Sequence, residues 1–499
     1  MSDASLDLKQ VLLSFLRKRE LVRQHIDSYN DFIENRLQAI VEDLGKIETD
    51  VGLEIILGKI EVGKAEVIEA DGSINKVKPN EARLRNLSYF SPIYLEMTPK
   101  KDEKEGASEK VKIGMLPTML KSRVCNLYEL SEKELIDAGE DPLDPGGYFI
   151  VNGSERALVT IEDLAPNKIM LERNEKYSKV VEVAKVFSRR SGFRALVTVQ
   201  RGKEGLLEVA FPSVPGSIPF VILMRALGIE TDQEIVTTIS DDPEILQDVL
   251  QNLEEYLDVK TKEAAIEIIG KKVATGQMRE YRIKRAEQVI DRYLLPHVGT
   301  APEDRLKKAH YLSRMVVRVL ELTLGNREPD DKDHYANKRL RLSGDLMEDL
   351  FRVAFYNLTR DIKYQLERAV VRGKEPSVQT AVRADVLTER MRHALATGNW
   401  VGGRAGVSQL LDRTNYLSVV SHLRRVVSPL SRSQPHFEAR DLHPTQWGKI
   451  CPAETPEGPN CGLVKNLALA CEFSTGYDDA EIESMFYELG VKPIKKGGP

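Results

Sequence analysis

The first forty residues carry apolar side chains at the spacing of amphipathic helices. These side chains recur every three to four residues, at Leu8, Leu12, Phe15, Leu16, Leu21, Phe32, Ile33, Leu37 and Ile40. From Val51 the period shortens to two and β-branched residues accumulate around an Asp71-Gly72 turn, which predicts strands and a hairpin. Further strands are predicted at 87–99 and 111–122, with the charged segment 100–110 as a solvated loop between them.

The pattern changes between about residues 165 and 330, which predicts a separate mixed α/β module. Two alternating segments, 179–187 and 193–200, predict paired strands joined by a basic loop at 188–192. Asp242 can cap a helix that has Pro243 in its first position. The predicted apolar face of that helix is Leu246, Val249, Leu250, Leu253 and Leu257.

A long helix is predicted farther along the chain, where apolar residues recur every four positions. They are Leu346, Leu350, Ala354, Leu358, Ile362 and Leu366. Strand-rich and helix-rich segments therefore alternate irregularly, and the predicted fold class is α+β, a mixed α/β multidomain chain.

Length and composition agree with a globular protein of several domains. A chain of 499 residues suggests two to four domains. The sequence has no apolar run near the roughly 20 residues that cross a bilayer, and its start, MSDASLDLKQ, lacks the order of a signal peptide. Four cysteines are few for a disulfide framework, so we expect a reducing compartment and a cytoplasmic protein.

Positive charge concentrates near the C-terminal end, although the formal net charge is −5. The segment from Asn399 to Lys449 contains seven lysines and arginines but only three acids. Arginine makes bidentate contacts with phosphate, so this window is a candidate nucleic-acid contact. The basic runs at 185–194 and 305–318 are mixed with helix or strand patterns, and we interpret them as solvated faces.

Other candidate chemistry is weaker on residues alone. Cys451, Cys461 and Cys471 lack the close pairs of a zinc site and are predicted to be buried small residues. The histidines at 422, 436 and 443 match no ligand spacing, so structural or RNA-facing roles are favoured. Glu454 and Glu457 favour positioning over acid–base work, and the aspartates at 330–333 favour internal pairing.

Several segments resemble the second-largest subunit of multisubunit RNA polymerases. Three adjacent ones resemble its fork region: RAGVSQLLDRTNYLSVVSHLRR (404–425), FEARDLHPTQWGKICP (437–452) and AETPEGPNCGLVKNLAL (453–469). Earlier blocks match the same subunit in the same order: GMLPTMLKS, GGYFIVNGSERAL, IPFVILMRALGI and DKDHYANKRLRLSGDL.

The resemblance implies a polymerase beta-like architecture of protrusion, lobe and fork modules. It places the protrusion at 1–164, completed by 334–394, the lobe at 165–333, and the fork at 395–499, incomplete without a partner chain. The chain is similar to the N-terminal product of a subunit that some archaea make in two pieces, called B double-prime (B''). A truncated form of an unsplit subunit is the alternative.

The resemblance also implies which residues face nucleic acid. Contacts are expected from Arg404, Gln409, Arg424, Arg425 and Arg432. The active cleft is expected to be lined by Asp412, Asn415, His422 and Asn460. Arg440 and Glu457 are expected near the incoming nucleotide in supporting roles, with no catalytic residue and no metal ligand in this chain.

The implied partners are the other polymerase subunits, chiefly the C-terminal half of the same subunit (B') and the largest subunit, which would hold the Mg²⁺ of the assembled enzyme. DNA template, nascent RNA and general transcription factors complete the expected partners, with no membrane. A stand-alone nucleic-acid-binding module is the main alternative, and an independent metalloenzyme is weaker because no ligand spacing supports it.

Overall fold

A computed structural model describes residues 7–18, 21–69, 71–101, 104–173, 180–202, 204–373, 376–473 and 479–492. They form two compact units. Unit 1 contains the residues up to Ile161 and those from Leu340 onward, and unit 2 is Glu162–Arg339. The chain therefore leaves unit 1 once and returns to it. The assignment of protrusion, lobe and fork to particular ranges stays a prediction.

Strands and helices occur in separate runs along the described chain, in agreement with the predicted α+β class. They are β1 (Lys46–Glu48), β2 (Leu53–Val62), β3 (Glu66–Ile68), β4 (Ile74–Lys76), β5 (Phe90–Lys101), β6 (Lys104–Glu105), β7 (Glu109–Pro117), β8 (Phe149–Val151), β9 (Ser154–Leu158), β10 (Thr160–Leu164), β11 (Ile169–Arg173), β12 (Val180–Arg190), β13 (Phe193–Gly202), β14 (Leu207–Ala210), β15 (Ile218–Pro219), β16 (Lys338–Arg341), β17 (Ser408–Leu410), β18 (Arg425–Val427) and β19 (Val464–Asn466).

The helices range from four to 29 residues. They are α1 (Leu8–Lys18), α2 (Arg23–Asp31), α3 (Leu37–Leu44), α4 (Pro79–Leu84), α5 (Glu132–Asp137), α6 (Phe220–Ala226), α7 (Asp232–Ile239), α8 (Pro243–Glu255), α9 (Lys262–Val273), α10 (Arg279–Tyr293), α11 (Arg305–Leu324), α12 (Ser343–Val371), α13 (Val378–Ala381), α14 (Ala384–Thr397), α15 (Tyr416–Leu423), α16 (Phe437–Arg440) and α17 (Asp479–Glu488). Among the described helices, none combines the length and the apolarity needed to cross a membrane.

Unit 1 is built on an antiparallel sheet covered by helices. The sheet has the order β1-β2-β5-β6, and β7 pairs with β5 on the same side as β6, opposite β2. Helix α12 packs on α2 and α14, and α14 packs on β7. All six predicted apolar positions of α12 are buried, so this helix is confirmed.

The loop predicted at 100–110 is wrong at both ends, where the structure has strands. Residues 100 and 101 belong to β5 and pair with 105 and 104 of β6, while β7 begins at Glu109. Strand pairing satisfies backbone groups here despite the charged side chains, which point outward from an edge of the sheet. Asp102 and Glu103 lie outside the described residues, as do residues 493–499 at the end of the predicted fork.

Unit 2 has an antiparallel sheet of order β11-β12-β13-β14-β15, and α11 packs on β12 and β13. The paired strands are confirmed, but the basic loop is shorter than predicted. Residues 188–190 continue β12, and Ser191-Gly192 alone form the turn.

The cap of α8 is confirmed, since the Asp242 carboxylate accepts the backbone N–H of Glu244 at 3.0 Å. Its predicted apolar face is confirmed at Val249 and Leu253, which are buried, and wrong at Leu250 and Leu257, which are exposed. The buried face includes Asn252 instead, whose amide oxygen accepts the N–H of Leu207 at 2.7 Å. The buried stripe of α8 is therefore Ile245, Val249, Asn252 and Leu253, with the polar member hydrogen-bonded as buried polar groups usually are.

Candidate nucleic-acid interface

The junction between α15 and β18 is anchored to the N-terminal helices of unit 1. Arg424 is 7% exposed, and its guanidinium donates to the carbonyls of Leu21 at 2.5 Å and Ala468 at 2.7 Å. Burial also lowers the pKa of Arg424. The expectation that Arg424 contacts nucleic acid is therefore corrected, because its donors hold the protein backbone together inside the fold.

His25 fixes the same junction from the N-terminal side. Its Nε2 donates to the carbonyl of Leu423 at 2.7 Å, and its Nδ1 accepts the Ser343 hydroxyl at 2.6 Å. Burial lowers the pKa of His25 to about 4, and the charge of Arg424 adds to this effect. A neutral histidine thus connects α2, α12 and the end of α15.

Arg425 differs from Arg424 by one position and by its surroundings. It begins β18, which pairs in parallel with Thr160 and Ile161 of β10 and antiparallel with β19. Its side chain is half-buried, and among the described residues its guanidinium makes no hydrogen bond or ion pair. Arg425 therefore stays a predicted nucleic-acid contact with a free donor set.

His422, Gln409 and Asp412 form one small network on the segment between β17 and α15. The backbone N–H of Asp412 donates to His422 Nδ1 at 3.1 Å, so the ring's Nε2–H donates to Gln409 Oε1, also at 3.1 Å. Burial lowers the pKa of His422 to about 4, with Arg425 contributing and Asp412 opposing. A neutral, doubly engaged ring shapes the segment and has no free nitrogen for proton transfer.

Asn415 caps α15 rather than standing free. Its side-chain oxygen accepts the N–H of Ser418 at 2.9 Å, and the Ser418 hydroxyl oxygen accepts the backbone N–H of Asn415. The Asp412 carboxylate accepts both the N–H and the hydroxyl of Thr414, at 2.9 and 2.7 Å. Both predicted cleft residues thus have local structural partners, while their exposed surfaces still permit a cleft-lining role.

Arg413 forms an ion network that the sequence alone did not reveal. It contacts Glu155 at 2.6 Å and Asp144 at 2.8 Å, and it donates to the Tyr148 hydroxyl at 2.7 Å. Arg83 reaches the same Glu155 at 2.7 Å. Burial alone would raise the pKa of Glu155, but these guanidiniums hold it below its usual value. The partners lie more than 250 residues from Arg413 in sequence, so no local pattern could have indicated the network.

Arg440 joins two loops at the exposed end of the site. Its guanidinium donates to the carbonyls of Pro435 at 2.7 Å, Pro459 at 2.8 Å and Cys461 at 2.7 Å. Gly462 makes the close approach possible, since an added Cβ would lie 2.4 Å from the Arg440 carbonyl. We call these two loops, residues 430–436 and 457–462, the braced loops. The Arg440 side chain connects them through its hydrogen bonds.

The braced loops present one exposed cation and one exposed anion. Arg432 lies on the first loop and Glu457 on the second. Asn460, expected in the cleft, is half-buried on the second loop, and its Oδ1 is a buried acceptor without a hydrogen-bond donor among the described residues. His436 Nε2 on the first loop is likewise buried and without a partner there. Unsatisfied groups of this kind favour a further partner at this surface.

Thr455 makes two hydrogen bonds where the second loop begins and ends. Its hydroxyl donates to the carbonyl of Val464 at 2.9 Å and accepts the N–H of Gly462 at 2.9 Å. Glu454 receives the hydroxyl of Ser421, whereas the carboxylate of Glu457 stays exposed. The two glutamates therefore differ: Glu454 connects the loop to α15, and Glu457 is available to a ligand.

Arg404 lies in a turn beside a buried tryptophan. Its carbonyl accepts the backbone N–H of Trp400 at 2.7 Å, and the indole N–H of Trp400 donates to the carbonyl of Leu346 at 2.9 Å. Arg404 itself is half-buried. The turn is thus tied to α12, and the predicted nucleic-acid contact by Arg404 stays a prediction.

Cysteines and acids of the chain do not assemble into a metal centre within the described residues, where no group of three or more potential ligands converges. Cys461 is exposed, and Cys451 and Cys471 are half-buried, so the prediction that all three are buried is wrong. Their segments lie in loops at the surface. The aspartates at 330–333 are paired internally as predicted, for example Asp333 with Lys338 at 3.0 Å.

Large apolar side chains lie exposed beside the braced loops. Trp447 is 91% exposed, and Phe437 and Leu442 are also largely exposed. Such exposure of several large apolar side chains in one segment favours an interaction site.

Comparison with known proteins gives two family matches and a set of close relatives. Residues 20–389 match the family described as RNA polymerase beta subunit, and residues 409–473 match RNA polymerase Rpb2, domain 3. The DNA-directed RNA polymerase subunit Rpo2N of Methanococcus vannielii is 57% identical, and that of Methanocaldococcus jannaschii is 55% identical. Each alignment covers 97% of this chain and 99% of the relative.

An undivided relative is also similar. The DNA-directed RNA polymerase subunit Rpo2 of Saccharolobus solfataricus is 54% identical over 98% of this chain, which corresponds to 43% of the relative. These matches define a class, the large subunits of multisubunit RNA polymerases. The chain belongs to the RNA polymerase beta subunit family, which confirms the resemblance seen in its motifs.

Proposed function

We propose that this chain is the B'' subunit of an archaeal DNA-directed RNA polymerase, the N-terminal half of its second-largest subunit. Its protrusion, lobe and fork help to hold the DNA template, the RNA–DNA hybrid and the incoming nucleotide in a cytoplasmic transcription complex. Support comes from the identity of 55–57% to archaeal proteins named Rpo2N, over nearly their whole length. RNA polymerase is a nucleotidyltransferase, and this chain contributes positioning to its reaction.

The observation that carries the positioning role is the pair of braced loops. Arg440 holds them together through three carbonyls, and their exposed Arg432 and Glu457 project from a fixed frame. A guanidinium in such a frame suits a phosphate of the nucleic acid, and a carboxylate suits a hydroxyl or a cationic side chain. Holding reactants in register lowers the entropic part of the barrier without a covalent step.

The chemical step depends on groups from other subunits in this proposal. The Mg²⁺ ions of the assembled enzyme, held by the largest subunit, would supply the electrophilic chemistry of nucleotidyl transfer. This chain's own residues position the RNA end and the nucleotide. Its proposed partners are B', the largest subunit, DNA, RNA and general transcription factors, and the exposed Trp447 and Phe437 favour a partner polypeptide at the fork.

Single substitutions in the assembled polymerase test the positioning role. Arg432→Ala and Arg425→Ala should leave assembly intact but destabilise the transcription bubble or hybrid, since each removes a cation that makes no pair within the described chain. Glu457→Ala should slow nucleotide addition modestly. Glu438→Ala is the matched control, an exposed acid on α16 between the braced loops.

The outcomes separate the proposal from its rival. Wild-type elongation and bubble stability in all three variants would exclude the assigned contacts, and complete loss of activity in Glu457→Ala would contradict a supporting role. Purification of the native chain tests the stand-alone module: a salt-labile nucleic acid without stoichiometric large subunits would favour that alternative.

A further inference from the structure

The C-terminal half of α12 exposes tyrosine and arginine in alternation, four residues apart. The helix packs on α2 and α14, and its buried side chains end at Leu366. On its outer face follow the exposed residues Tyr356, Arg360, Tyr364, Arg368 and Val371, which we call the α12 ridge. At 1.5 Å per residue the ridge is about 22 Å long, so it offers a line of contact rather than a single point.

The side chains of the ridge have no partner within the part of the chain that the structure describes. Tyr356 and Tyr364 are 55% and 56% exposed, and Val371 is 83% exposed. Among the described residues, none of the ridge side chains forms a hydrogen bond, an ion pair or a ring contact. The ridge therefore contributes little to the fold of unit 1.

The charged residues on the two flanks of the ridge are engaged with other elements. On one flank, Lys363 pairs with Asp50 at 2.9 Å, and the Glu367 carboxylate accepts the backbone N–H of Asp50 at 3.1 Å. On the other flank, Asp361 pairs with Arg383. The acids closest to the ridge in sequence thus serve the attachment of α12, and the ridge arginines lack a carboxylate from this chain.

Spacing and residue type both suit a contact with another helix. Side chains four residues apart form a ridge inclined to the helix axis, and such ridges pack into the grooves of a second helix. Tyrosine and arginine are enriched at the centres of protein interfaces, where the ring supplies contact area and the guanidinium binds a carboxylate through two parallel hydrogen bonds. One exposed tyrosine would be ordinary, whereas two in line with two unpaired arginines form a composite surface.

A nucleic-acid strand fits this face less well than a polypeptide. Proteins that bind single strands guide the phosphates along a positively charged groove, whereas one exposed helix face is convex. Tyr356 and Tyr364 are about 12 Å apart along the axis. Bases of one strand follow each other about every 3.4 Å, so the two rings cannot hold successive bases.

We propose that the α12 ridge docks an acidic helix of a partner polypeptide. The two tyrosine rings and Val371 fill the groove between turns of that helix. Arg360 and Arg368 lie two turns apart, about 12 Å, so they bind carboxylates that are also two turns apart, at a spacing of seven or eight residues. This docking surface belongs to α12 and does not depend on the proposed role of the fork.

Photo-crosslinking in the intact polymerase tests the proposal. Tyr364 is replaced by benzoylphenylalanine in cells where the variant chain takes the place of the native one, and the crosslinked peptide is identified by mass spectrometry. We expect one dominant polypeptide segment with a helical apolar period and acids seven or eight residues apart. Adding Arg360→Glu and Arg368→Glu should reduce its yield more than about tenfold, since the loss of one central arginine commonly weakens an interface that much. Arg360→Lys with Arg368→Lys should keep part of the yield, because the charge remains.

Tyr281 on α10 is the matched control position, because it is 55% exposed and lies on another helix. Benzoylphenylalanine there should not capture the same segment. Urea unfolding of the full chain with Arg360→Glu and Arg368→Glu should have the wild-type midpoint, which separates lost docking from a damaged fold.

Crosslinks from position 364 to DNA or RNA alone would overturn the proposal, and so would the absence of any crosslink. A product whose yield is unchanged by the charge reversals, or the same product from position 281, would also overturn it. The fork proposal is tested separately, because Arg360→Glu with Arg368→Glu should not change the rate of nucleotide addition on a preassembled scaffold.

Discussion

At the scale of single residues, buried neutral histidines make the fold of unit 1 sensitive to acid. His25 is fully enclosed, and burial lowers its pKa from 6.5 to about 4. The unfolded chain would bind a proton near 6.5 and the folded chain only near 4. The free energy of unfolding should therefore decrease as pH falls from about 6.5 to 4, by about 3 kcal/mol from this one group.

The histidine contribution can be measured by urea unfolding at several pH values. His25→Gln cannot titrate, so its stability should fall less steeply with decreasing pH than that of the wild-type chain. His310→Gln, at an exposed position, is the control and should keep the wild-type slope. Parallel curves for His25→Gln and wild type between pH 6.5 and 4 would contradict the assigned neutral state.

Arg440 is a second residue whose role follows from its contacts. We expect Arg440→Ala to free the braced loops, because three backbone carbonyls lose their donor. Amide hydrogen exchange at Cys461 and Gly462 should accelerate, and Arg440→Lys should rescue little, since one ammonium cannot reach both loops. Arg432→Ala, on the first braced loop, should leave the exchange unchanged; unaltered exchange in Arg440→Ala would show that the loops hold without the brace.

At the scale of elements, the long ones could be predicted from the sequence and the short ones could not. The four-residue apolar period of α12 and the alternation in β2 each extend over ten residues or more, so the pattern outweighs local noise. In the fork segment, β17, β18 and α16 have only three or four residues. A period cannot be recognised over such lengths.

The same limit explains which site residues were misjudged. Charge and motif identified the fork window, but Arg424 and Arg425 are adjacent, and the end of α15 at Leu423 decides which side chain turns inward. Arg413 was missed because its acids come from a distant part of the chain. Residue type is visible in a sequence, whereas orientation and long-range pairing depend on tertiary packing.

The contact between α2 and α12 allows a prediction about an element interface. The N-terminus of α12 approaches α2 so closely that a Cβ on Gly344 would lie 2.0 Å from the Ser28 carbonyl. Gly344→Ala should therefore separate the helices and destabilise unit 1 by about 2 to 3 kcal/mol. Urea unfolding measures the loss, and Arg360→Ala on the exposed side of α12 should change stability by less than about 0.5 kcal/mol. A similarly small effect of Gly344→Ala would show that the contact is loose.

At the scale of the whole molecule, some surfaces of the chain carry positive charge and others expose apolar side chains, so different surfaces suit different partners. The chain is net acidic, yet among the described residues Arg314 and Arg318 of α11 and Arg432 of the braced loops form no ion pair, whereas Arg201 and Arg305, for example, are paired with acids. Beside the braced loops, the large apolar side chains of Phe437, Leu442 and Trp447 are exposed. Cationic surfaces suit phosphates, and apolar ones suit a polypeptide, so a single chain can contact both kinds of partner.

The two tryptophans give a direct test of the apolar surface. Trp447 is 91% exposed and Trp400 is 6% exposed, and the sequence contains no other tryptophan. If a partner subunit covers the fork, Trp447 should become shielded on assembly while Trp400 stays as it is. The chain can be labelled with 5-hydroxytryptophan, which is excited selectively in the presence of unlabelled subunits. In a Trp400→Phe background, we expect assembly to shift the emission to shorter wavelength and to reduce quenching by acrylamide. The reciprocal Trp447→Phe variant should show no change, and equal quenching of Trp447 before and after assembly would place the partner elsewhere on the chain.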